Sequence, residues 1–190
     1  MSQQGIHTVL IDMDLRRPSL HKVFNLPADT PGVADFLVKN TPVAQITQNT
    51  SFPQLQVITA GIAIPNPAEQ LAGPLLGELI KELQKHYSAI IIDTAPLLPV
   101  ADTLTILPHA QMSFLVMACN RGTAKTARKA IELMERAGNK PTGLLLSRAP
   151  ERGGYYYDRK YSYSKGYGYG SYGSYGHYNT GYEQKPAPPT

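Results

Sequence analysis

Apolar residues in this chain come in short continuous runs, separated by stretches with helical spacing. Residues 7–11 (HTVLI), closed by Asp12, and residues 55–59 (LQVIT) read as buried strands. Residues 89–92 (AIII), ending at Asp93, Phe114–Ala118 and residues 143–146 (GLLL) continue the series. Between the second and third runs, Leu71, Leu75, Leu76, Leu79, Ile80 and Leu83 form an apolar stripe at helical spacing. Asn66, Pro67 and Glu69 supply its start: a cap residue, a first-turn proline and an acid at the third position. Gly73-Pro74 breaks or kinks that stripe. A later helix spans residues 124–137 and is closed by Gly138. Strands apolar on both sides and alternating with helices predict an α/β fold, a mainly parallel sheet with helices flanking both faces. Sites in such folds lie at the carboxyl ends of the strands, where Asp12 and Asp93 both stand.

Composition divides the chain. All four Phe lie before residue 115, half of the 16 Gly lie after residue 152, and eleven of the 12 Tyr fall between residues 155 and 182. This predicts a globular body over residues 1–149 and a disordered Gly/Tyr-rich tail over residues 150–190. The net charge of +4 is mild. The body is nearly balanced, while the tail sets Arg152, Arg159, Lys160, Lys165 and Lys185 against Glu151, Asp158 and Glu183. Such a tail suits an acidic, nucleotide-filled site or an anionic membrane surface, and is too weakly basic to imply a specific nucleic-acid partner. Cys119 is the sole cysteine, so no intrachain disulfide forms and a reducing compartment is expected. No apolar run reaches bilayer length and no signal-peptide pattern opens the chain, which predicts a cytoplasmic location.

Two elements carry candidate chemistry. In VLIDMDLRRP (residues 9–18), Asp12 and Asp14 are two apart, so both carboxylates lean to one side of an extended segment. Two such anions at a strand end suit a magnesium ion, or one metal contact plus a base for a substrate hydroxyl. An isolated D-x-D reads equally well as helix caps or solvated loop acids, and it also occurs in metal-dependent glycosyltransferases. In IIIDTAPLLPVADT (residues 90–103), an apolar strand ends in Asp93 and is followed by Thr94, Ala95 and Pro96. That is the form of a Walker B segment, whose Asp holds magnesium directly or through water; the competing reading is a cap for the next helix. Together the elements place three acids along one edge of the predicted sheet.

These motifs and their order resemble the cytoplasmic kinase domain of bacterial tyrosine kinases (BY-kinases), the autokinases of capsule and exopolysaccharide synthesis. VLIDMDLRRP resembles the family's Walker A′ and IIIDTAP its Walker B. SLHKVFNL, GVADFL and ITAGIAIPNPAEQL match its intervening order, ARKAIELMERAGNKPTGLLLS its last helix–strand pair, and the tyrosine cluster its autophosphorylation tail. Septum-site and partition ATPases of the MinD/ParA type share the first two motifs but lack the tail, so the implied fold is P-loop NTPase-like. The resemblance implies ATP and Mg as cofactors. It makes Asp12 the candidate base for the tyrosine hydroxyl, with Asp14 and Asp93 organising magnesium. Arg16 would lie in a salt bridge or near phosphate, and Ser147 stands where the family usually has an asparagine near the base. It also implies a membrane adaptor or co-polymerase of polysaccharide export, intact kinase protomers and a cognate tyrosine phosphatase as partners. The adaptor would hold the chain at the inner face of the bacterial membrane.

The family pattern also calls for a glycine-rich loop ending in Gly-Lys-Ser/Thr upstream of Asp12, roughly 30 residues with its strand. Eleven residues precede Asp12 and the sequence holds no Gly-Lys pair. The expectation is therefore a truncated kinase domain lacking its first strand and P-loop, with doubtful ATP affinity and a sheet of doubtful integrity. Ala118 stands where an arginine is expected, with Arg121 displaced. Tyr155, Tyr156, Tyr157, Tyr161, Tyr163, Tyr167, Tyr169, Tyr172, Tyr175, Tyr178 and Tyr182 are the candidate phosphoacceptors. Each phosphate adds about −1.5 to −2 charges and would turn the tail acidic. The alternative is a catalytically dead fragment, or a substrate phosphorylated in trans, and composition alone leaves a sticky Gly/Tyr spacer open. Tyr87 reads as core packing.

Overall fold

The structure is a computed structural model that describes residues 1–149; the predicted tail and its tyrosines lie outside the described residues. The first apolar run forms β1 (Thr8–Asp12) at the centre of a four-stranded sheet of order β2-β3-β1-β4. β3 (Leu55–Ile58) and β4 (Ala89–Asp93) flank β1 in parallel. β2 (Thr47–Asn49) adds an antiparallel edge. Central placement explains why β1 is apolar without alternation. Val9 and Ile11 are fully buried on one side, Thr8 and Asp12 on the other, as a strand covered on both faces requires.

Short helices fill the connections: α1 (Leu20–Val23), α2 (Val33–Lys39) and α3 (Val43–Ile46) between β1 and β2, then α4 (Pro67–Leu71) and α5 (Pro74–Gln84) between β3 and β4. Gly73-Pro74 splits the leucine stripe into α4 and α5, with Pro74 in the first turn of α5. Leu71 of α4 and Leu76, Leu79, Ile80 and Leu83 of α5 join Val9, Ile11, Val33, Leu37, Ile46 and Ile58 in the core. Tyr87 packs against this core as expected, its hydroxyl donating to Gln56 Oε1. Asn66 does not cap α4 as predicted: it makes no side-chain cap bond and adopts φ +52°. Its carbonyl instead accepts from Glu69 N–H.

After β4 the chain forms α6 (Asp102–Ile106), β5 (Phe114–Ala118), α7 (Ala124–Arg136) and β6 (Gly143–Ser147). β5 and β6 pair in parallel as a separate two-stranded sheet. The expectation of one continuous sheet is not met, whereas the mainly parallel α/β class and the doubt over the sheet's integrity agree with this pairing. No described strand bridges β4 and β5, where Phe114 and Val116 are roughly half exposed, and Leu144 to Leu146 of β6 are about as exposed. Among the described residues no helix is long and apolar enough to cross a membrane.

Candidate functional site

The parallel pairing of β1 with β4 puts Asp12 directly opposite Asp93, in register at the carboxyl ends of both strands. Met13 N–H donates to the Asp93 carbonyl at 2.8 Å, extending the pairing one residue past β1. Two acids that the sequence separates by some eighty positions therefore share one sheet edge, where this class of fold binds its ligands.

The D-x-D does not continue as an extended segment. Beyond Asp12 the chain turns, and both carboxylates hold the turn. Asp12 is fully buried; its Oδ1 accepts from Asp14 N–H at 3.2 Å, and its Oδ2 from Ser19 and Leu20 N–H at 2.9 Å each. Asp14 Oδ1 accepts from Arg16 and Arg17 N–H at 3.2 and 3.0 Å. The capping reading thus describes Asp12 as built, with little of its carboxylate left for a substrate proton. Among the described residues no hydrogen bond reaches Asp14 Oδ2.

Asp93 is the exposed member of the group. Although its surface is open, partial desolvation by its surroundings comes first in pushing its pKa above the ordinary carboxylate value, followed by the charges of Asp12 and Asp14. The hydrogen bond from Thr94 N–H opposes these only weakly. Negative charge therefore accumulates here, offset in part by Arg16, whose guanidinium feels Asp14 but is forked onto Asp102, and hard carboxylate oxygens of this kind fit a magnesium ion. Among the described residues no group of three His, Cys, Asp or Glu side chains is close enough to form a complete ligand set. Asp14 and Asp93 would thus be partial ligands, with the remainder coming from water and phosphate oxygens.

Arg16 resolves as the salt bridge. Its Nε and Nη2 donate to the two carboxylate oxygens of Asp102 at 2.6 and 3.0 Å, a bidentate fork. Asp102 is fully buried at the start of α6, and Thr103 beside it donates its hydroxyl to the Ala95 carbonyl at 2.6 Å. The turn after β1 and the segment after β4 are thereby fastened to one helix. Sequence reading missed Asp102, although an acid at a helix start just after a Walker B-like segment was visible. Arg17 is exposed. Ser147 lies on the other sheet, its hydroxyl directed at the Met117 carbonyl at 3.4 Å and its own carbonyl accepting from Cys119 N–H. No described contact joins Ser147 to the acids.

Asp35, in the GVADFL stretch, was also missed. It is buried and accepts from Gly32 N–H, Ile62 N–H and Lys39 Nζ at 3.0, 3.2 and 2.9 Å. Burial alone would raise its pKa; Lys39 and the two backbone donors outweigh that and hold it below the ordinary value. It fixes the loop after β3 to the start of α2, close to the same sheet edge.

No protein-family model matches the chain. The tyrosine-protein kinase YwqD of Bacillus subtilis (strain 168) is 35% identical over 146 residues, 77% of this chain and 61% of YwqD. The tyrosine-protein kinase CpsD of Streptococcus agalactiae is 30% identical over 158 residues, 83% of this chain and 69% of CpsD. The kinase domain of the Escherichia coli tyrosine kinase ETK superposes with a TM-score of 0.75 at 28% identity, over 87% of this chain and 62% of that one. The Pyrococcus furiosus cell-division ATPase MinD, at 20% identity and a TM-score of 0.62, shares the fold alone. The chain thus spans between three-fifths and seven-tenths of the length of these curated kinases. The P-loop NTPase-like α/β fold and the CpsD match agree with the motif order, and the chain belongs to the family of bacterial tyrosine-protein kinases of capsule and exopolysaccharide loci.

Proposed function

We propose that the chain serves a protein-tyrosine kinase, the edge formed by Asp12, Asp14 and Asp93 organising MgATP and the tyrosines of residues 155–182 receiving its γ-phosphate. The observation that carries the reading is the register of Asp12 against Asp93, with Asp93 held above its ordinary pKa by burial and by Asp12 and Asp14. Asp12 fixes the turn from which Asp14 projects, so its contribution is to position Asp14 as much as to meet a hydroxyl. Magnesium, when bound, would offset the carboxylate charge and polarise the phosphate oxygens. Asp14 and Asp93 hold that charge at the mouth of the sheet, and the Arg16–Asp102 fork keeps the two acidic segments from separating. Phosphate on the tail would convert it from basic to acidic and push neighbouring protomers apart. In this reading a membrane adaptor of polysaccharide export holds the chain at the inner face of the membrane, other kinase protomers surround it, and a tyrosine phosphatase reverses the modification.

A second reading has the chain as a substrate phosphorylated in trans. It is supported by the three backbone donors already engaging Asp12. One experiment separates the two. Protein purified from its own cells is incubated with MgATP, and its phosphotyrosines are mapped by mass spectrometry, for the wild type and for Asp93→Asn. New phosphotyrosine within residues 155–182 in the wild type alone supports the kinase reading. Equal gain in both proteins, appearing only when an intact kinase such as YwqD is added, supports the substrate reading. No phosphotyrosine under any condition contradicts both.

A further inference from the structure

The near-balance of charge over residues 1–149 conceals a division. Residues 1–118 hold six Lys and Arg against nine Asp and Glu, whereas residues 119–149 hold seven against two. Most of the second group sits on or beside α7. Lys125, Arg128, Lys129, Glu132 and Arg136 recur at three- and four-residue spacing, so they share one helix face, and all are exposed. Arg121, also exposed, stands two residues before the cap Thr123. The opposite face carries Ala130 and Met134, each 3% exposed. α7 packs on β5, so its apolar side is occupied within the chain.

The order of these charges opposes the helix's own stability. The positive end of a helix macrodipole favours acids, and its negative end favours cations. In α7 the first turn holds Lys125 and no acid, Arg128 and Lys129 follow in the second, and Glu132 and Glu135 lie toward the carboxyl end. Arg128 precedes Glu132 by four residues, the weaker orientation for such a pair. Among the described residues no cation of α7 forms an ion pair. A charge order that folding disfavours, and that no internal contact offsets, points to an external anion.

We propose that this face of α7, with Arg121, docks the protein on an anionic phospholipid surface. Three observations choose that partner. The cations form a row along a helix about 20 Å long, which presents a line of charge to a plane. No large apolar side chain of α7 is exposed to anchor a peptide partner, whose docking relies on such anchors. Residues 119–142 hold no Phe, Tyr or Trp on which a nucleic-acid base could stack. The start of α7 is not a discrete phosphate pocket either, because the N–H groups of Thr123 and Thr126 are taken by each other's hydroxyls. Attraction therefore comes from side-chain charge, and salt screens it. This inference stands apart from the catalytic reading and from the adaptor, neither of which requires it.

The test uses the full chain and extruded vesicles of phosphatidylglycerol mixed into phosphatidylcholine, with phosphatidylcholine alone as control. Co-sedimentation reads binding at low and at high salt. Binding to the anionic vesicles alone, at least about tenfold weaker at high salt, is expected. The triple variant Lys125→Gln, Arg128→Gln, Lys129→Gln should bind at least about tenfold more weakly. Its Tm should match or exceed that of the wild type, because the removed charges oppose the macrodipole. Two variants of equal net charge are the controls: Lys22→Gln with Lys81→Gln and Lys85→Gln, and Arg159→Gln with Lys160→Gln and Lys165→Gln. Both should stay within about twofold of the wild type, since their cations lie off the α7 face. The proposal is overturned by absence of binding, by equal binding to phosphatidylcholine, or by undiminished binding of the α7 variant. Equal loss in either control overturns it too, because net charge or residues 151–190 then carry the contact. A lowered Tm in the α7 variant contradicts the charge-order argument and overturns it as well. So does tighter binding to duplex DNA or polyglutamate with the same dependence on α7, which makes the partner a different polyanion.

Discussion

Asp12 and Asp93 face each other across one strand pair and do opposite work. Asp12 is buried and accepts from three backbone N–H groups. Asp12→Ala should therefore cost about 1–3 kcal/mol in urea unfolding, because three donors, that of Leu20 buried, lose their shared acceptor. Loss of activity in that variant would report folding as much as chemistry. Asp93 is exposed and its pKa is raised, so its ionised form is better tolerated in the unfolded chain. Its contribution to stability is present at acid pH and lost as pH rises from the ordinary carboxylate value through the raised one. Asp93→Asn should accordingly raise Tm at pH 7 and leave it unchanged below the ordinary value; a lower Tm at pH 7 would contradict the account. Asp35 has the reverse sign. Its stabilisation is present above the ordinary value and disappears as pH falls through its lowered pKa. Asp35→Ala should cost about 2–3 kcal/mol through Gly32 and Ile62, whereas Lys39→Ala, which removes a half-exposed partner, should cost under about 0.5 kcal/mol.

Elements with their own local signals were legible in the sequence. β5 follows its predicted bounds, and α7 starts where predicted and ends one residue early at Arg136. Its start carries a reciprocal cap: Thr123 Oγ1 accepts from Thr126 N–H at 3.1 Å, and Thr126 Oγ1 from Thr123 N–H at 2.9 Å. Thr123→Ala should cost about 1 kcal/mol by thermal unfolding. The four-residue helices α1 and α3 were not legible, since one turn carries no periodicity, and neither was β2, a polar three-residue edge defined only by pairing. Gly32 shows why the α2 start escaped notice. A Cβ there would sit 2.1 Å from the Thr59 carbonyl oxygen, a long-range contact that no local pattern encodes. Gly32→Ala should cost about 2–3 kcal/mol by overpacking. Gly138→Ala, at φ +81° with nothing within 4 Å, should cost only the left-handed backbone penalty of about 1–2 kcal/mol.

For the whole molecule, the sequence revealed which strands carry acids but not how the strands are arranged. Strand runs alone do not say that β1 lies between β3 and β4, and it is this order that brings Asp93 beside Asp12. The expected doubt over the sheet's integrity was legible, but not that β5 and β6 would be the strands that pair apart, because the runs leave pairing undefined. The central claim is that this acid edge directs phosphate onto the tyrosine cluster. Its most direct test is the intact mass of the protein from its own cells, with the native copy carrying either Asp93 or the substitution Asp93→Asn. The account predicts a ladder of phosphate-sized steps, no more than the eleven tyrosines of residues 155–182 allow, that vanishes in Asp93→Asn. A wild-type protein without steps, or an undiminished ladder in the variant, would contradict it.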